Sequence, residues 1–191
     1  MSFIIGVDEA GRGPLAGPVA VGIVAVEDGY DFSVFPGLND SKKLSEKKRE
    51  IIFSVLQEEM KKGSVRAVVQ LVGARMIDRG GIAPAIRNAV ATGVRKLLVE
   101  PTAGKVFLDG SLKAPEEYEQ ETVIGGDGTV PAIMLASVVA KVTRDRLMVK
   151  LAFEYPAYGF EIHKGYGTKA HYEALRAHGP CELHRTTFLH L

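Results

Sequence analysis

The segment IIGVDEAGRGPLAGP, Ile4 to Pro18, runs from an apolar stretch directly into acids and then into glycines. Ile4, Ile5 and Val7 read as strand. Asp8 and Glu9 follow at once, then Arg12 between Gly11 and Gly13. A charge without a partner is costly inside a sheet, so a strand ending in two carboxylates and a flexible loop marks a site. Strand side chains alternate between faces, which sends Asp8 and Glu9 to opposite sides while the strand stays regular. For both to serve one site, Glu9 must lie where the strand breaks or contribute its main-chain carbonyl.

Outward from that segment, Pro18 to Val26 (PVAVGIVAV) reads as a second strand, joined by so tight a loop that an antiparallel pair is expected. Asp31 to Asp40 is a loop containing Pro36 and Gly37. Ser45 suits the N-cap of a helix whose apolar face is Ile51, Ile52, Val55, Leu56 and Met60, with Gly63 as its stop. Arg66 to Val72 is a third strand. A helix with Pro84 in its first turn repeats Ile86, Val90, Val94 and Leu97. Lys105 to Leu108 is a short strand ending in Asp109. Asp127 stands in the turn GGDGT before a long helix from about Pro131 to Leu151. A last helix lies between Thr168 as cap and Gly179-Pro180 as stop. Strands and helices in this order predict an α/β fold, a mixed sheet with helices against its faces.

At 191 residues the chain is long enough for one domain with a substantial core. Apolar residues make up 46% and charged residues 25%, the balance of a globular protein. No apolar run spans a membrane, and the amino terminus lacks a signal-peptide layout. Cys181 is the only cysteine, which excludes a disulfide framework and a thiolate zinc site. A cytoplasmic protein is expected. The formal charge of +1 carries no global nucleic-acid signature, so such binding would rest on local patches.

Asp8, Glu9, Asp109 and Asp127 each stand where an apolar element gives way to glycine. Oxygen ligands without cysteine suit hard cations such as Mg²⁺ or Mn²⁺. A pair of such ions assists phosphodiester hydrolysis. The competing reading makes each acid a turn or capping residue, with Asp127 favouring the positive end of the next helix. The glycine loop is neither a Walker A loop nor a dinucleotide fingerprint, since its spacing is wrong and a strand follows it. It is either a plain connection or a place where the backbone approaches a ligand.

In order along the chain, DEAGRGPLAGPV, LNDSKKLSEKKR, FLDG, GD followed by ASVVAKVTRDR, and HKGYGT with its following histidines and HR resemble the motifs of bacterial ribonuclease HII. The resemblance covers about Ile4 to Phe188. It implies a ribonuclease H-like five-stranded mixed sheet, with a catalytic domain over residues 1–150 and a helical carboxy-terminal extension over 151–191 that packs on it and contacts substrate. It implies a metal-dependent endonuclease that hydrolyses the RNA strand of RNA–DNA hybrids. The same activity would nick DNA on the 5′ side of embedded ribonucleotides, leaving 3′-OH and 5′-phosphate ends, in ribonucleotide excision repair and DNA replication. By the same resemblance, Asp8, Glu9, Asp109 and Asp127 are the catalytic, metal-binding acids for two Mg²⁺ or Mn²⁺ ions. Gly11, Arg12, Gly13 and Tyr166 read the ribonucleotide, and Ser41 and Lys42 bind substrate. A monomer is expected, without the extra amino-terminal domain of ribonuclease HIII.

Two positions depart from the family pattern. Gly125 replaces the lysine of a usual Lys-Gly-Asp, removing a cation beside the site, and Leu135 replaces a small residue. Other classes open to the chain are a phosphotransferase or ATPase on the same fold, and a nucleic-acid-binding module with degraded catalysis. Ser41, Lys42, Lys43, Lys47 and Lys48 form a basic stretch, either phosphate-facing or a solvated helix face. All five histidines fall in the carboxy-terminal part, in spacings that fit no zinc pattern, so surface or phosphate-facing roles are expected. Asp145 is expected to form a structural ion pair with a neighbouring arginine, and Cys181 to be inert.

Overall fold

The computed structural model describes residues 2–190. Five strands form one sheet: β1 (Phe3–Ala10), β2 (Val19–Glu27), β3 (Val65–Val72), β4 (Gly104–Asp109) and β5 (Glu119–Val123), in the order β3-β2-β1-β4-β5. β1 pairs antiparallel with β2, and β2 with β3. β4 lies parallel to β1, and β5 parallel to β4. The mixed sheet expected from the order of elements is therefore present. The helices are α1 (Glu46–Lys62), α2 (Ala74–Gly80), α3 (Ile82–Leu97), α4 (Pro131–Glu154), α5 (Phe160–His163) and α6 (Lys169–His178).

Local chemistry sets the boundaries. The Ser45 hydroxyl accepts from the Lys48 amide and opens α1, and Gly63 closes it in the left-handed conformation. Thr168 caps α6 in the same way through the His171 amide. Helix α2 was not anticipated: it is short, its cap Gly73 offers no side chain, and only Ala74 and Ile77 mark a buried face. Gly81 alone separates it from α3. The expected domain boundary between residues 150 and 151 falls inside α4. Among the described residues, no helix is long and apolar enough to cross a membrane.

The period-two alternation of β1 and β2 sorts residues onto two faces. Ile5, Val7, Val19, Val21 and Ile23 pack with Ile86, Val90 and Val94 of α3. Val24 and Val26 pack with Ile52 and Leu56 of α1 and with Leu135 and Val139 of α4. Leu135 is thus a core residue, and its departure from the family pattern is a packing change. Gly6 and Gly22 let α4 lie directly on the sheet. A Cβ built on Gly6 would fall 2.1 Å from the Ala132 carbonyl carbon, and one on Gly22 2.2 Å from the Ala136 oxygen. Asp8 belongs to the same face as Gly6 and stands opposite Gly22 in the ladder. The close approach of α4 therefore fixes what Asp8 meets. A third core joins Leu15, Ala16 and Met148 to Tyr158, Phe160 and Leu175, seating the carboxy-terminal segment on the glycine loop.

Candidate active site

Asp8 near the end of β1, Asp109 at the end of β4 and Asp127 on the 3-10 turn Gly126–Gly128 each bring a carboxylate oxygen into one group, all within 4.8 Å of one another. The β1–β4 pair supplies two of them. The third is placed by a turn whose Asp127 amide donates to Asp109 Oδ1 at 3.3 Å. Glu9 does not join them. β1 stays regular through Ala10, so Glu9 points to the other face, where its Oε1 meets Arg12 Nη1 at 3.3 Å. The alternation predicted from the sequence holds, and no break in the strand turns Glu9 back.

Burial pushes the Asp8 carboxyl up to about 7, against a lowering hydrogen bond from Ser137, and the charges of Glu9 and Asp109 add to the rise. Glu9 is also raised by burial, with Arg12 opposing. A folded pKa above the unfolded value means that the folded state holds the extra proton, so this contribution to stability is lost as pH rises toward 7. In EDTA, the melting temperature of the parent relative to Asp8→Asn should fall between about pH 4 and pH 7, then level off. Thermal melts of both proteins across that range check it; parallel curves would show that Asp8 titrates normally.

Lys42 reaches in from the loop before α1, its Nζ 2.9 Å from Asp127 Oδ2, and this bond raises its own pKa. Lys42 thus supplies a cation beside Asp127. Gly125 has φ +68, with nothing within 4 Å of a built Cβ. Gly125→Lys should therefore fold at a cost of about 1 kcal/mol or a little more from the left-handed backbone. With Lys42 already in place, its effect on the Mg²⁺ dependence of activity should be small. Metal titrations of rate for both proteins decide it; a large shift would make residue 125 the dominant cation position.

Ser41 is buried, its hydroxyl 2.6 Å from that of Ser137, so its side chain supports the Asp8 wall and does not face outward. Lys42, Lys43, Lys47 and Lys48 are exposed. The ion pair of Asp145 is with Lys141, one turn away at 2.9 Å, and Arg146 pairs with Glu50.

The glycine loop is held from below by two residues that the sequence reading did not single out. Arg185 donates to the carbonyls of Gly11 (2.7 Å), Arg12 (2.8 Å) and Gly17 (2.9 Å). Arg144, on α4, donates to Pro18 and Ala16. Both are fully buried with no acidic partner among the described residues, and desolvation lowers the pKa of each. Gly11, at φ +86, must be glycine, because a Cβ would fall 1.9 Å from Arg144 Nε. Arg144 Nη1 has no hydrogen-bond partner among the described residues, and its guanidinium lies 5.8 Å from the centre of the half-exposed Tyr166 ring. Arg144 thus connects Gly11 to Tyr166. Arg144 lies in ASVVAKVTRDR and Arg185 in HR, two of the family-like motifs, but neither motif shows which carbonyls the residue holds.

A mixed sheet of order β3-β2-β1-β4-β5, with acids converging at the ends of its two central strands, defines a ribonuclease H-like nuclease. The sequence model of ribonuclease HII matches residues 5–191. The ribonuclease HII of Endomicrobium trichonymphae is 46% identical over 186 residues, covering 97% of this chain and 84% of that one. The ribonuclease HII of Bacillus cereus strain Q1 is 45% identical over 188 residues, covering 98% of this chain and 69% of that one. Among solved structures, ribonuclease H2 from Pyrococcus horikoshii OT3 superposes with a TM-score of 0.78 at 25% identity, covering 97% and 93% of the two chains. The chain belongs to the ribonuclease HII family. It is an endoribonuclease acting on RNA–DNA hybrids.

Proposed function

We propose that the enzyme also nicks duplex DNA on the 5′ side of a single embedded ribonucleotide, leaving 3′-OH and 5′-phosphate ends, with divalent metal held by Asp8, Asp109 and Asp127. The observation that carries this reading is the convergence of those three acids from separate segments. All-oxygen donors within 4.8 Å of one another fit Mg²⁺ or Mn²⁺. Two such ions supply charge neutralisation at the phosphodiester and activation of water. Glu9 stands on the opposite face of β1, outside this group, paired with Arg12.

The chain's other groups select and orient the substrate. Gly11 and Gly13 keep the loop backbone low enough for a ribose to approach, and nothing stands within 4 Å of a built Cβ on Gly13. Arg12 is exposed beside Glu9 and faces backbone phosphate. Tyr166 offers a ring for stacking and a hydroxyl for the 2′-OH, the group that separates RNA from DNA. Through it the extension, residues 151–191, touches substrate held by the catalytic part, residues 1–150. Lys42 and the lysines after it face the duplex backbone. The substrate is a hybrid or ribonucleotide-containing DNA, met by a monomer in the cytoplasm during excision repair and replication.

A labelled duplex with one ribonucleotide, incubated with Mg²⁺, Mn²⁺ or EDTA, tests this. Cleavage at one phosphodiester, 5′ of the ribonucleotide and abolished by EDTA, is expected; an intact duplex beside a cut hybrid would confine the enzyme to hybrids. Tyr166→Ala should lower kcat/KM on the single-ribonucleotide duplex by about tenfold more than on a long hybrid, because one 2′-OH must be located without help from neighbours. Equal losses on the two substrates would remove Tyr166 from substrate reading.

A further inference from the structure

His163, His171 and His184 are buried, contrary to the surface or phosphate-facing roles expected from sequence; among the five histidines only His178 and His190 are exposed. Their hydrogen bonds leave one consistent proton arrangement. The Tyr166 carbonyl only accepts, so His171 Nδ1, 2.9 Å away, carries the proton. His171 Nε2 is then an acceptor, and His184 Nε2, at 3.0 Å, donates to it. His184 Nδ1 accepts in turn from the Cys181 amide at 2.9 Å. His163 stacks on His171 with ring centres 4.4 Å apart. It accepts from the Gly165 amide at 3.2 Å and donates to the Tyr158 carbonyl at 2.7 Å. Burial keeps His171 and His184 neutral, holding His171 below its usual range and His184 down at about 4.

The turn that these histidines grip is strained. Lys164 has φ 52, the one positive φ outside glycine among the described residues, and Gly165 follows at φ 85. A non-glycine residue in the left-handed region persists only when its surroundings over-determine it. Here His163 takes the Gly165 amide and His171 takes the Tyr166 carbonyl. The Gly165 carbonyl accepts from the Leu15 amide at 2.9 Å, which ties the turn to the glycine loop.

We infer that His171, backed by His184 and His163, is a positioning residue that holds Tyr166 against the glycine loop and so sets selectivity for a lone ribonucleotide. The inference rests on the reading of Tyr166 given above. His171 acts through the Tyr166 backbone and touches no substrate.

Three variants test it. His171→Leu should lower kcat/KM on the single-ribonucleotide duplex about tenfold or more, with a loss of no more than about threefold on a long hybrid. His171→Asn, whose amide nitrogen can stand in for Nδ1, should restore most of that loss. Added to Tyr166→Ala, His171→Leu should cost nothing further on the single-ribonucleotide duplex, because its route is already cut. Should His171→Leu melt below the assay temperature, His184→Leu carries the same comparison. Equal losses on both substrates, no rescue by asparagine, or additive losses in the double variant would overturn the inference while leaving the substrate reading intact. A parent enzyme that leaves the single-ribonucleotide duplex uncut would overturn both.

Discussion

Asp109→Asn should abolish nicking and hybrid cleavage, with kcat/KM falling by roughly 10³-fold or more. Metal-assisted charge stabilisation contributes several kcal/mol to such reactions, and each 1.4 kcal/mol is a factor of ten. The substitution keeps the Oδ1 that accepts the Asp127 amide at 3.3 Å, so the turn bearing Asp127 should stay in place. It removes one of the charges that raise Asp8. In EDTA at neutral pH the variant should therefore melt at or above the parent. Added Mg²⁺ stabilises whatever state binds it, and should raise the parent's melting temperature more than the variant's. A nicking assay beside melts in EDTA and in Mg²⁺ covers each part. Retained activity, or a melting temperature well below the parent in EDTA, would make Asp109 a structural acid.

A large loss of stability is expected from Gly22→Ala. Its new methyl would lie 2.2 Å from the Ala136 oxygen and 3.0 Å from the Ala140 nitrogen, both backbone atoms of α4 that cannot rotate away. The helix must lift, at a cost of about 3 kcal/mol at the upper end of overpacking effects. For a chain of this size that is a fall of roughly 6–12 °C in melting temperature. Lifting α4 also draws Ser137 away from Asp8, so activity should fall even where the variant remains folded. Gly29→Ala, in a left-handed turn with open space around it, is the control, and should cost only about 1 kcal/mol. Scanning calorimetry of the two variants decides it; equal shifts would mean that α4 has slack to move.

Much of this could be read from the chain because its signals are local. β1 and β2 announce themselves by apolar runs, α1 and α6 by Ser45 and Thr168, and Asp109 by its place at a strand end. The alternation rule also placed Glu9 correctly, on the face away from Asp8. What stayed hidden was carried by long-range partners. The carbonyls that Arg185 satisfies lie about 170 residues earlier, so the HR motif marked the residue without showing what it holds. The three histidines bury because they satisfy one another and the backbone, a cancellation invisible to spacing rules. Ser41 lies in a basic stretch but faces a serine 96 residues away.

Helix α4 has a consequence for where the enzyme cuts. Ser137, which touches the Asp8 side, and Arg144, which underlies Gly11 and Tyr166, are seven residues apart on one rigid element. At 3.6 residues per turn they share a face, about 10 Å apart along the axis. The helix is thus a caliper, with one jaw at the acids and the other under the glycine loop and Tyr166. Pinned to the sheet at Gly6 and Gly22, it cannot change that gap without leaving its seat. On the proposed reading of that loop and Tyr166, the offset between the nucleotide recognised and the bond broken is a length set by backbone geometry, independent of how strongly either jaw grips.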